Sequence, residues 1–161
     1  MLNEWTMTHS WKISFGESND QILETGKKPY HFFQDSPAVI NDPVETYSNS
    51  LDFKETSILF DFLEYTQSDI ADLLEVDPST LFRWKKEDRK LTKILTKNLL
   101  EMDQIIAKGI RIFGSEPLLS EWLHTPNSSL GQQKPSILLK NPYGIELVDQ
   151  ALEAISWGNI L

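Results

Sequence analysis

Apolar positions along this chain show no sustained period over residues 1 to 52, where Pro29, Pro37, Pro43 and scattered Asn, Ser and Asp interrupt the pattern. This predicts an irregular N-terminal arm. Trp5, Trp11, Phe15, Tyr30, Phe32, Phe33 and Tyr47 give the arm more aromatic surface than a solvated tail carries. Part of it should therefore pack, with room for short strands around Trp11 to Phe15 and Tyr30 to Phe33. From Glu55 the spacing turns helical. Ile58, Leu59, Phe62 and Leu63 predict a first helix, and Ile70, Leu73 and Leu74 a short second one. Thr66 precedes the second as N-cap, with Asp69 three residues on as a variant capping box. Asp77 caps a third helix of about ten residues, with Pro78 in its first turn and Leu81 and Trp84 inward.

Beyond Leu91 apolar residues recur at 91, 95, 99, 102, 106, 110 and 113, predicting one helix of about 22 residues that ends near Gly114. That spacing would suit a short coiled coil, but Ile94, Leu100, Ile105 and Ile112 fall off the seam. A helix packed on two neighbours is the better expectation. Ser115 then caps a helix expected to turn Leu118, Leu119, Trp122 and Leu123 inside, and a loop follows. Pro135 opens a short helix, and a last one runs from about Pro142 to Trp157, with Gly158 in the left-handed C-cap position. The fold class is all-α: a helix-turn-helix bundle (53–90) joined by a long helix (91–113) to a small helical domain (114–161), preceded by the arm (1–52).

Composition is that of an ordinary globular protein, with 40% hydrophobic and 24% charged residues. No signal peptide pattern opens the chain and no long apolar run crosses it, so a cytoplasmic protein with no membrane partner is expected. Without cysteine, thiolate metal sites and cysteine nucleophiles are excluded. His9, His31 and His124 lack metal-ligand spacing, and no nucleophile elbow, phosphate loop or paired carboxylates stand out. No metal, cofactor, small-molecule substrate or catalytic residue is expected.

The net charge of −9 disfavours a polyanionic partner until its distribution is considered. Arg83, Lys85, Lys86, Arg89, Lys90, Lys93 and Lys97 fall in one stretch whose only acids are Glu87 and Asp88, a local charge of +5. Just before it, TQSDIADLLEVDPSTLFRWKK reads as a helix-turn-helix. Ala71 is the small residue a helix crossing needs, and Ile70, Leu74, Val76, Leu81 and Trp84 lock the helices. Ser79, Thr80, Phe82, Arg83 and Lys86 then face the major groove. Arg83 suits guanine O6 and N7, Ser79 and Thr80 bases or phosphates, and Gln67 a phosphate. Lys85, Lys86 and Arg89 add phosphate contacts, while Phe82 either touches a thymine methyl or seats a dimer partner. Glu75 occupies the turn position where glycine is usual, which implies a strained left-handed backbone. Asp69, Asp72, Glu75 and Asp77 nearby favour the competing idea, a helical bundle that binds only protein.

The stretch from Thr66 to Leu161 resembles the Xre/MbcA/ParS antitoxins, in which an Xre-like helix-turn-helix precedes a toxin-binding domain. The resemblance rests on IADLLEVDPSTLFRWKKEDRKLT and on Trp122, Leu123, Pro126, Asn127, Leu130, Gly131, Pro135, Leu138, Leu139 and Gly144 in the family's order. Gln132 stands where a second glycine is common, and Tyr143 and Ile145 flank Gly144 where small residues are usual. The arm has no counterpart.

The resemblance implies an antitoxin that neutralises a RES-domain toxin, an enzyme depleting NAD, and that represses its own operon as a dimer or toxin complex. It implies toxin contacts from Trp122, Asn127 and Leu130, and occlusion of the toxin's active site by Trp157, Gly158, Asn159, Ile160 and Leu161. An aromatic anchor and apolar terminus with little else to bury them fit that role. For Trp157 alone, completion of the intramolecular core is an equal expectation. A solitary helix-turn-helix regulator with a carboxy-terminal protein-interaction domain is the alternative.

Overall fold

A computed structural model describes residues 30–39 and 49–158 in full, together with the backbone of Ser10–Ser14 and Asp20–Glu24. From residue 53 onward all its regular structure is helical. A 3-10 turn at Phe53–Thr56 leads into α1 (Ser57–Phe62), α2 (Gln67–Leu73), α3 (Pro78–Glu87), α4 (Lys93–Phe113) and α5 (Glu116–His124). A second 3-10 turn at Ser128–Leu130 precedes α6 (Pro135–Leu138) and α7 (Pro142–Ser156). In the arm, Ser10–Ser14 (β1) and Asp20–Glu24 (β2) pair as an antiparallel hairpin, Ser10 opposite Glu24 and Ser14 opposite Asp20. The strand expected near Trp11 is therefore present, whereas Phe15 and Tyr47 lie outside the described residues. No helix among the described residues is long and apolar enough to cross a membrane.

The caps form where their chemistry places them. Thr66 Oγ1 accepts from the Asp69 N–H while Asp69 accepts from the Thr66 N–H, and Asp77 accepts from the Ser79 and Thr80 amides ahead of α3. Thr92 and Ser115 cap α4 and α5, and Gly114, at φ 79°, closes α4. Helices α1, α2 and α3 each end on an acidic residue in the left-handed region, Glu64, Glu75 and Asp88 at φ 53°, 53° and 50°. After α2, the Glu75 amide bonds the Asp72 carbonyl and the Val76 amide that of Ala71, a Schellman closure. The cost of this conformation for a residue with Cβ is about 1–2 kcal/mol.

Helix α4 is the spine. Leu99, Leu100, Met102, Ile105, Ile106 and Ala107 are all buried, so it packs against several neighbours, as the off-seam residues Leu100 and Ile105 predict. Ile94, also off the seam, is exposed, and on α1 Phe60 is buried while Ile58 is left 57% exposed. Both exposed residues share the first turn of their helices with buried ones, Leu59 and Phe60 in α1 and Thr96 in α4, so it is the side of the helix and not the place along it that leaves them in water.

Asp103 interrupts this apolar spine with no exposed surface. Its carboxylate accepts from three consecutive backbone amides: Oδ2 from His31 and Phe33 at 2.9 and 3.1 Å, and Oδ1 from Phe32 at 2.9 Å. Burial pushes the carboxyl above its ordinary range, and the three amides pull against that. This arrangement is why Tyr30 to Phe33 do not form the strand their aromatic content leaves room for. The His31, Phe32 and Phe33 amides turn inward to one carboxylate and are not available to a neighbouring strand. Around the anchor, Gln104 donates to the Tyr30 hydroxyl at 2.9 Å, His31 meets Glu116 at 2.9 Å, and Phe32 packs on Phe62 with ring centroids 5.4 Å apart. Tyr30, Phe33 and Ala38 thereby join the same hydrophobic cluster as Leu99, Leu119 and Leu152.

The chain returns at Leu51, whose carbonyl accepts from the Leu91 amide and whose amide donates to the buried Thr96 hydroxyl. A second set of polar contacts joins α2 and the turn before it to the carboxy-terminal helices. Lys140, between α6 and α7, pairs with Asp69 of α2 and lies over the Tyr65 ring, 5.6 Å from its centroid. The Tyr65 hydroxyl donates to the Ser136 carbonyl at 2.6 Å, and His124 Nε2 lies 3.2 Å from the Leu63 carbonyl. Hydrogen bonds from Lys140 and then Thr66 hold Asp69 down at about 2, while burial, with Asp69 nearby, pushes the Tyr65 phenol up.

Asp103→Ala should lower stability by about 3 kcal/mol, because it leaves inward-facing amides without an acceptor. Urea unfolding measures this, and an unchanged midpoint would show that the amides find other partners. Asp103→Asn, which turns one acceptor into a donor, should also be destabilised.

Candidate functional site

Two surfaces gather the residues expected to function. On α3, Ser79, Phe82, Arg83 and Lys86 fall at i, i+3, i+4 and i+7, hence on one helix face, and all four are exposed. The opposite face carries Leu81, 2% exposed, and the half-buried Trp84. Ala71 and Ile70 of α2 are buried. Lys85 is exposed beside the face, and the Arg89 guanidinium sits over the Trp84 ring at 5.6 Å. Gln67 is exposed at the start of α2.

The structure sharpens two of these residues. The Ser79 and Thr80 hydroxyls both donate to the Asp77 carboxylate, so toward a ligand they offer oxygen lone pairs only. Those bonds, the Ser79 hydroxyl first, hold Asp77 far below the usual carboxylate range. A fixed negative charge thus stands at the amino end of α3 and opposes phosphate there. The cations lie further along, from Arg83 to Lys97 on α3 and the first turns of α4, all of them exposed.

The second surface belongs to the carboxy-terminal helices. Trp122 is half-buried against Phe113, ring centroids 5.6 Å apart, and its free edge lines a groove of about 360 Å³ with Thr125, Pro126, Asn127, Ser128 and Gln132. Asn127 is 8% exposed. Its side-chain oxygen accepts from the Ser129 amide and hydroxyl at 2.9 and 2.7 Å, and its backbone N–H donates to the Gln133 carbonyl. Leu130 is buried too, so both hold the loop in this structure. Gly131 and Gln132 both take left-handed φ, 67° and 64°, which explains why a glycine pair would be easiest here.

Gly144 has a different reason. A Cβ on it would lie 1.9 Å from the Leu138 carbonyl oxygen, so only glycine lets α7 start this close to α6, while Asn141 accepts from its amide at 2.8 Å. Along α7, Ile145, Val148, Ala151 and Leu152 face the core. Lys108 of α4 spans to Asp149, at 2.7 Å, and to Glu153.

The outer face of α7 is unusual. Tyr143, Leu147, Gln150, Ala154 and Trp157 follow steps of four and three, a single stripe. Tyr143 and Trp157 are each 83% exposed and Leu147 46%. Trp157 therefore does not finish the core. Gly158 has φ 81°, and Asn159, Ile160 and Leu161 lie outside the described residues. Tyr143 and Leu147 are not among the residues expected above to meet a toxin, although their four- and three-residue steps to Trp157 are there to be read in the chain. Asp103 is not singled out there either, although its spacing from Leu99 and Ile106 already places a carboxylate on the buried face.

Gly144→Ala should destabilise the carboxy-terminal helices by about 3 kcal/mol, since its new methyl meets backbone and not a movable side chain. Thermal unfolding tests it, and a change below about 1 kcal/mol would mean that the two helices separate easily.

In sequence, residues 108–158 match the family model described as the antitoxin Xre/MbcA/ParS C-terminal toxin-binding domain. No curated protein matches the chain. Among solved structures, it is similar to a chain in the crystal structure of the M. tuberculosis MbcT–MbcA toxin–antitoxin complex. The identity is 19% and the TM-score 0.43, over 66% of this chain and 94% of that one. The matched segment runs from Lys108 through Trp122, the Asn127 loop and Gly144 to Gly158, and so contains the exposed stripe of α7. Residues 108–158, about a third of the chain, are thus similar in sequence to the toxin-binding domain of the Xre/MbcA/ParS antitoxins.

Proposed function

We propose that this chain neutralises a RES-domain toxin, an NAD-depleting enzyme, by covering its active site with α7 and the residues that follow, and that it represses its own operon through α3. The observation that carries the reading is the stripe of Tyr143, Leu147 and Trp157 within the toxin-binding domain. From Tyr143 to Trp157 it runs about 21 Å along the helix. Each large aromatic removes about 150–250 Å² from water when covered. Trp157 and Gly158 form the leading end of this surface, Asn159, Ile160 and Leu161 are proposed as toxin contacts with them, and Trp122, with the loop held by Asn127 and Leu130, forms its flank.

The DNA reading rests on the exposed cations. Arg83 addresses a guanine, and Lys85, Lys86, Arg89 and Gln67 address phosphates. Asp77 weakens a single copy, which favours binding as a homodimer or with toxin.

Co-expression with the reading frame beside its gene tests the first half. The full chain should restore growth and cellular NAD. Trp157→Ser combined with Tyr143→Ser, or removal of residues 157–161, should weaken toxin binding by about 2 kcal/mol or more. Neutralisation undiminished by both changes would sink the occlusion model, and a toxic neighbour that leaves NAD untouched would exclude a RES toxin. For the second half, Arg83→Ala should weaken binding to the DNA upstream of its gene by about 1–3 kcal/mol in a gel-shift titration. Equal affinity would remove Arg83 as a base reader.

A further inference from the structure

Phe82 is the feature of the α3 face that neither core packing nor phosphate attraction accounts for. It is 71% exposed at the middle of the helix, flanked on its own face by Ser79, Arg83 and Lys86. Trp84 and Leu81 supply the packing of α3, so removing the Phe82 ring leaves the fold its core. Building on the DNA reading above, we infer that Phe82 is a specificity residue that recognises the C5-methyl group of a thymine in the major groove, beside the guanine addressed by Arg83.

The chemistry of the face selects this occupant. A self-association through Phe82 would bring Arg83 and Lys86 of two copies against each other, with like charges at contact distance and only Glu87, one turn on from Arg83 at the edge of the stripe, to set against them. An apolar protein partner would have to desolvate the same two cations. DNA satisfies both demands at once, because phosphates meet the cations while the major-groove edge of an A·T pair presents a methyl group to an apolar side chain. The hydroxyls of Ser79 and Thr80, turned to Asp77, act there as acceptors, which suits the exocyclic amine of the adenine in such a pair.

The test uses the full chain and a duplex spanning the region upstream of its reading frame, with thymines in the protected segment replaced one at a time by deoxyuridine. That change removes one methyl and nothing else. Wild type should lose about fourfold in affinity at one such position, the worth of one methyl group kept from water. Phe82→Ala should bind the thymine duplex about fourfold more weakly than wild type and be indifferent to uracil at that position. Three results overturn the inference: wild type insensitive at every thymine, Phe82→Ala with unchanged sensitivity, or a wild-type dimer that Phe82→Ala turns into a monomer in sedimentation. Absence of any binding by wild type would remove the DNA reading itself, and this inference with it.

Discussion

Asp103 occupies the middle of the longest helix, entirely out of water, and a carboxylate there is tolerable only because three successive amides converge on it. The bond set works in both directions. It supplies the carboxylate with donors that α4 cannot provide, and it gives His31, Phe32 and Phe33 acceptors that an irregular segment would otherwise lack. With those amides fixed, Tyr30 and Phe33 are held against α4, and His31 reaches Glu116 at the start of α5. One buried charge thereby decides where residues 30–39 run.

The same helix mediates between the two candidate surfaces. Leu51 and Leu91 bring the segment before α1 to one end of α4, and Lys108 fastens α7 near the other. Tyr65, Asp69 and Lys140 then join α2 directly to the α6–α7 junction. These contacts are polar, partly exposed and geometrically specific, so they contribute orientation more than stability. What they orient is the α3 face relative to the stripe of α7.

Much of this was present in the residue pattern. The caps at Thr66, Asp77, Thr92 and Ser115 follow from local chemistry, since a side-chain acceptor two or three residues from an unsatisfied amide needs nothing from the rest of the fold. The inward positions of α3 and α4 follow from helical period. The left-handed Glu75 was legible for the same reason, because the turn between α2 and α3 requires it whatever residue is present. The role of Gly144 was legible as a motif but not as physics, because the carbonyl it accommodates belongs to Leu138 of the preceding helix.

The sequence by itself thus determined the helices, their caps and the positive stretch after Asp77, all properties of residues within a few turns of each other. It also carried the order of motifs by which residues 108–158 match the family model of a toxin-binding domain. Only the tertiary structure decided that Tyr30 to Phe33 bend to Asp103, that Lys140 reaches Asp69, and that Trp157 stays in water while Phe60 is buried in place of Ile58. Each of these joins residues far apart in the chain or depends on whether a neighbouring element covers a helix face. Period alone cannot tell a stripe that meets the core from one left in water.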